Sequence, residues 1–175
     1  MRVLVVDDSP SVRCLLRRTV QAVGHECADA EDGAAAWAYL PNNSIDVIIS
    51  DWMMPKMSGL ELCQRMRERP GMPYVYFAFV TGLGDHEHAL EGIRSGADDY
   101  LVKPVRMADV ERCLLSASRV VALHRRREAL LAAAASFAVQ TDPEAVMRTL
   151  FDRASALPDV VAASVYRRLD GSDKL

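Results

Sequence analysis

An α/β fold, with a five-stranded parallel sheet covered by helices on both faces, is predicted by two features of the sequence. Apolar, β-rich runs of strand length recur five times, separated by amphipathic stretches of helical period, in the order βαβαβαβαβα. Four of the runs end in chemically active side chains: Asp7 and Asp8 after the first, Asp51 after the third, Thr81 after the fourth and Lys103 after the fifth. In an open parallel sheet the carboxyl ends of the strands share one edge, and ligands are handled there. Carboxylates, a hydroxyl and an ammonium at one edge form the set that a Mg²⁺-dependent phosphoryl site requires.

The first strand is RVLVV, residues 2–6. Ser9-Pro10 opens the first helix, with a hydroxyl at the cap and proline in the first turn. Val12, Leu15, Leu16, Thr19, Val20 and Val23 follow helical spacing until Gly24 stops it. A second strand, residues 25–30, precedes Asp32-Gly33 and a helix through Ala36, Trp37 and Leu40. The turn cluster PNNS at 41–44 leads into IDVIISD, an apolar run ending in one carboxylate, which reads as a buried central strand delivering Asp51 to the sheet edge.

Ser58-Gly59 opens the third helix, whose inner face is Leu62, Cys63 and Met66, and RPGMP at 69–73 ends it. The fourth strand is YVYFAFV, residues 74–80; a helix then runs from near Asp85 to Gly96. A short strand at 100–102 carries Tyr100 and leads to Lys103-Pro104. The last helix starts near Met107, shows no stop signal at the expected domain end and continues to about Val139. Leu123, Leu130 and Phe137 recur every seven residues, as in a coiled-coil seam, although Val120, Arg127 and Ala134 make imperfect companions.

Composition is that of a globular protein with one ordinary domain and a shorter extension: 175 residues, half of them hydrophobic. A net charge of −3 gives no general case for nucleic acid or anionic membrane, and HRRR at 124–127 reads as a solvated helix face. The four cysteines are widely spaced with no C-x-x-C, which favours core thiols in a reducing compartment over zinc or disulfides. His86 and His88 read as an exposed helix start. With no membrane-length apolar run, a cytoplasmic location is expected.

A lone aspartate after an apolar strand is ordinarily a turn former or helix cap. Here the acids stand inside the motifs VLVVDDSPSVR, DWMMPKMSG, FVTG and GADDYLVKP, and with these residues 2–119 resemble the receiver domain of two-component response regulators. That resemblance implies a doubly wound, flavodoxin-like sheet of strand order 2-1-3-4-5. It implies Asp51 as the phosphoacceptor, supplied by a sensor histidine kinase, a phosphotransfer protein or a small phosphodonor. Mg²⁺ is expected on Asp8, Asp51 and the backbone carbonyl of Met53, with Asp7 acting through a bound water. Lys103 is expected to pair with Asp51 at rest and with a phosphoryl oxygen afterwards. Thr81 and Tyr100 form the expected switch: the threonine moves to the phosphoryl group and the tyrosine turns inward. Pro104 is expected to follow a cis peptide bond.

The resulting domain layout is a receiver at 1–120, a signalling or dimerisation helix at 121–140 and a partial second domain at 141–175. The last segment, DPEAVMRTLFDRAS followed by VVAASVYRRLDGSDKL, faintly resembles the start of a GAF domain. A homodimer through the last helix is expected, with the signal passed along that helix to an output domain or partner. The enzyme alternative is a Mg²⁺-dependent phosphohydrolase with an aspartate nucleophile. Such enzymes of the haloacid dehalogenase type carry D-x-D after the first strand, where this sequence has adjacent Asp7-Asp8. A nucleotide or flavin module is weaker still, because no glycine-rich phosphate loop follows that strand. The sequence therefore reads as a phosphoacceptor with slow self-dephosphorylation and not as a turnover enzyme.

Overall fold

The computed structural model describes residues 1–82 and 91–139, together with 148, 151 and 152. The chain divides into two compact units, Met1–His124 and Arg125–Leu175. In the first unit, strands β1 (Arg2–Val6), β2 (Glu26–Ala30), β3 (Val47–Asp51), β4 (Tyr76–Thr81) and β5 (Asp99–Val102) form one sheet of order β2-β1-β3-β4-β5. All its pairings are parallel. Helices α1 (Pro10–Ala22), α2 (Gly33–Tyr39) and α3 (Gly59–Glu68) alternate with the strands; residues 91–94 are helical (α4), and α5 spans Met107–Val139. This is the doubly wound order expected of the sequence.

Alternation along the strands sorts the core into two layers. Val3, Val5, Val47, Ile49, Ala78 and Val80 face one side, where Leu16 and Val20 of α1 and Val110, Cys113, Leu114, Ala117 and Val121 of α5 cover them. Leu4, Val6, Ile48, Phe77 and Phe79 face the other, against Leu62, Cys63 and Met66 of α3. Full burial of each such aliphatic side chain stabilises the fold by about 1.5–3 kcal/mol before conformational entropy is subtracted. Burial also pushes the Cys113 thiol up to about 12 and that of Cys27 to about 11, so both stay protonated core groups at neutral pH.

Several local expectations are corrected. The fourth strand begins at Tyr76, two residues later than its composition indicates. Tyr74 and Val75 serve another purpose. Arg67, near the end of α3, donates to the carbonyls of Val75 and Gly96 at 2.9 and 2.7 Å and to Asp98 at 2.8 Å. Asp98 also accepts the Phe77 N–H at 2.8 Å and the Tyr74 hydroxyl. The Tyr74 ring stacks on His124 of α5 with centroids 3.6 Å apart. Ser9 occupies the cap position of α1, yet its hydroxyl makes no cap bond and instead meets that of Ser11 at 2.9 Å. Leu15, one of the residues that follow the helical spacing of α1, is 58% exposed. Leu40 belongs to a 3₁₀ turn, Leu40–Asn42, because Pro41 cannot donate to a continuing α-helix.

Taken by itself, the second unit begins inside α5, where Leu130 and Leu131 are 64% and 59% exposed. The Phe137 side chain, the helix start near Asp85 with His86 and His88, and the GAF-like reading of 142–175 lie outside the described residues. Among the described residues no helix is long and apolar enough to cross a membrane.

Candidate functional site

The sheet order places β1 and β3 side by side, so their carboxyl ends bring Asp7, Asp8 and Asp51 together. One carboxylate oxygen from each lies within 4.8 Å of the others. The three differ in setting: Asp7 is buried, Asp8 exposed and Asp51 half-buried. Across the edge, β4 ends in the buried Thr81, one residue beyond the Val80 that pairs with Asp51. The carbonyl of Thr81 accepts the Lys103 N–H at 2.8 Å, which fixes where the lysine leaves β5. Lys103 Nζ then donates to Asp51 Oδ2 at 2.8 Å and stands 3.9 Å from Asp7 Oδ2. The Lys103–Pro104 peptide bond is cis.

Asp7 and Asp51 each have one carboxylate oxygen held by a backbone N–H. Asp51 Oδ1 accepts the Trp52 N–H and Asp7 Oδ1 accepts the Ser9 N–H, both at 2.8 Å. Asp7 Oδ2 is buried, and among the described residues no group hydrogen-bonds to it. Burial, resisted by the Ser9 N–H and reinforced by the charge on Asp51, pushes the Asp7 carboxyl above its ordinary value. A carboxyl whose folded-state pKa is raised favours the fold when protonated, and that contribution is lost as pH rises through the folded-state value. Asp7→Asn should therefore stabilise the metal-free protein by about 1 kcal/mol at neutral pH. The gain should shrink as pH falls through the acid range and vanish only below about pH 4, where Asp7 becomes protonated in both states. Urea midpoints at both pH values check this, and equal midpoints at neutral pH would contradict it.

The loop after β3 is tightly placed. Ser58 and Glu61 form a reciprocal capping box at the start of α3, with bonds of 3.2 and 2.9 Å. Lys56, at φ 63°, reaches back to Asp32 at 2.6 Å and Glu31 at 3.2 Å. The Lys56 ammonium and the Ala35 N–H hold the Asp32 carboxyl below the usual carboxylate range. Trp52 is buried against Phe79, with ring centroids 4.7 Å apart, whereas the Met53 side chain is 70% exposed. Tyr100 is not drawn into the cluster: it stands on the edge strand β5, 40% exposed. A groove of about 590 Å³ beside it is lined by residues of β5 and early α5, among them the ion pair of Asp99 and Arg112.

Residues 3–114 match the family model of the response regulator receiver domain. The chain belongs to that family. A gliding motility regulatory protein of Myxococcus xanthus is 38% identical over 103 residues, covering 59% of this chain and 13% of that protein. The response regulator RppA of Synechocystis is 36% identical over 128 residues, 72% of this chain and 51% of RppA. The chain thus spans about half, or less, of the length of these curated relatives. Among solved structures, a chemotaxis protein of Vibrio cholerae superposes with TM-score 0.62 at 34% identity, covering 66% of this chain and 97% of its own. A receiver domain from Clostridium thermocellum gives 0.64 at 28% identity, with coverage of 70% and 97%.

Two features of this receiver's site escape a reading of the sequence: the Lys56–Asp32 tie and the contact of Arg13 with the loop of the paired acids. The Lys56–Asp32 tie joins residues far apart in the chain, and no local pattern marks either pairing.

Proposed function

We propose that this receiver is a phosphorylation switch in which Asp51 accepts a phosphoryl group from a sensor histidine kinase, a phosphotransfer protein or a small phosphodonor. The observation that carries the proposal is the Lys103 ammonium 2.8 Å from Asp51, on a carboxylate that also lies within 4.8 Å of Asp7 and Asp8. An all-oxygen cluster with a buried, unsatisfied Asp7 oxygen suits a small hard cation, so the residues fit Mg²⁺. Asp8, Asp51 and the Met53 carbonyl would hold it, with Asp7 acting through water. When bound, Mg²⁺ supplies neutralisation of the charge gathered between the acids and the phosphoryl oxygens.

The chain's own groups do the rest. Asp51 Oδ2, now held by Lys103, forms the new O–P bond as the donor's N–P or O–P bond breaks, and the bonding pair departs with the donor. Lys103 exchanges its Asp51 contact for a phosphoryl oxygen. Thr81 donates its hydroxyl to another, and Tyr100 moves from its exposed position into the vacated space. The altered β5 and α5 surface then passes the signal along α5 to a dimer mate or a further domain, in a cytoplasmic setting. Asp51 is consumed once per event, which makes the protein a switch with slow self-dephosphorylation and not a turnover enzyme.

Incubation with acetyl phosphate and Mg²⁺ should add the mass of one phosphoryl group, and excess chelator should prevent it; labelling that ignores the chelator would remove the metal from the site. Light scattering with and without beryllofluoride, an acyl-phosphate mimic, tests the output. A monomer-to-dimer shift that Leu130→Glu reverses, with labelling intact, is expected. An unchanged mass in that variant would take the α5 seam out of the mechanism.

A further inference from the structure

We propose that Arg13 is a positioning residue that sets the paired acids of the β1–α1 loop for the metal. The inference rests on the Mg²⁺ reading above and concerns a residue that touches neither metal nor phosphoryl group. Between the end of β1 at Val6 and the start of α1 at Pro10, the chain must place two successive carboxylates in different settings. Asp7 is buried and Asp8 exposed, yet an oxygen of each comes within 4.8 Å of the same Asp51 carboxylate. A loop of three residues has no ladder of its own to hold such a conformation.

The Arg13 guanidinium supplies it. Nη1 donates to the carbonyl of Asp7 at 2.7 Å and to that of Asp8 at 3.1 Å, so one nitrogen fixes both peptide planes. Nε lies 3.5 Å from Asp29 Oδ2 on β2, and Arg17 Nη1 lies 3.3 Å from Asp29 Oδ1. Asp29 therefore aims the guanidinium from behind. The next residue on β2, Ala30, accepts the Asp7 N–H at 3.3 Å. The loop is thus held by its carbonyls through Arg13 and by its amide through β2. The Arg13 side chain is 17% exposed, so these bonds are partly shielded from competing water. A planar guanidinium suits the task, with forked donors that serve the carbonyls on one side and a carboxylate on another. A lysine ammonium lacks that fixed fork.

The test is a Mg²⁺ titration followed by tryptophan emission, since Trp52 adjoins Asp51, on the parent chain, Arg13→Met, Arg13→Lys and Asp29→Asn. Removing a group that orients metal ligands typically weakens binding 10–100-fold, so Arg13→Met should raise the Mg²⁺ dissociation constant by about tenfold or more. Arg13→Lys and Asp29→Asn should raise it less. Labelling by acetyl phosphate should recover close to the parent rate once Mg²⁺ is raised to saturation, a split that general loss of structure would not produce. Affinity in folded Arg13→Met within about twofold of the parent, well short of that range, would overturn the proposal. So would labelling that stays slow at saturating Mg²⁺. If Arg13→Met does not fold, Asp29→Asn decides: unchanged affinity there overturns the proposal. A parent chain that gives no response to Mg²⁺ would instead overturn the metal reading itself.

Discussion

Asp51→Asn should take up no phosphoryl group from acetyl phosphate and Mg²⁺, while the parent chain is labelled. The substitution is nearly isosteric: the amide oxygen can still accept the Trp52 N–H now bound at 2.8 Å. What disappears is the anionic oxygen that forms the O–P bond, and a neutral amide oxygen is too weak a nucleophile to replace it. Lys103 loses its 2.8 Å partner and is left with Asp7 at 3.9 Å. Some stability is lost with the ion pair, but the sheet on either side of β3 is untouched, so a folded, unlabelled protein is the expected result. Intact-protein mass spectrometry with a melting curve on the same sample reads both. Full labelling of the variant would move the acceptor to another residue.

Gly59→Ala should cost the fold about 3 kcal/mol and slow labelling as well. The reason is space: a Cβ at Gly59 would stand 2.8 Å from Ser50 Oγ and closer still to the backbone carbonyl of Asp51. Backbone at the end of a strand paired on both sides cannot step aside as a flexible side chain can. Gly59 also donates its N–H to the Trp52 carbonyl at 3.1 Å, so the start of α3 is seated directly on the chain that carries the acceptor. Either α3 lifts away, breaking that bond and the Leu62 and Met66 packing, or the Asp51 peptide tilts and carries its carboxylate with it. Urea unfolding and the labelling rate at saturating Mg²⁺ measure the two effects. A loss below about 1 kcal/mol would show that the helix end yields more easily than this packing implies.

The three central strands were legible because they are buried on both faces and write themselves as near-continuous apolar runs; VLVV stops where β1 stops, and VIIS and FAFV stop one residue before β3 and β4 do. Residue chemistry at those stops marked Asp7, Asp8, Asp51, Thr81 and Lys103, and the paired strands bring the first three acids and the lysine together. Legibility failed where contacts outside the local pattern decide a residue's place. Tyr74 has the composition of a strand residue, but Asp98 and His124 hold it outside the ladder. Leu15 has the spacing of an inner-face residue, yet period alone cannot show that Leu16 and Val20 already fill the space under α1. Ser9 has the chemistry of a cap, but its own N–H is taken by Asp7, so local geometry serves the acid first.

The sheet order also distributes mechanical stiffness. β3 is flanked on both sides, by β1 and β4, and its residues Val47–Ser50 are buried, so their amides can meet solvent only when neighbouring strands separate. β5 has β4 alone as a neighbour in the sheet, with Tyr100 and Val102 exposed. The acceptor therefore sits on the strand least free to fluctuate, while the tyrosine proposed to answer it sits on an edge that opens at lower free energy. Hydrogen exchange reads this gradient directly, slow at Ile48 and Ile49 and faster along β5. A receiver built this way can keep its chemistry rigid while leaving its reporting surface compliant, without a hinge between them.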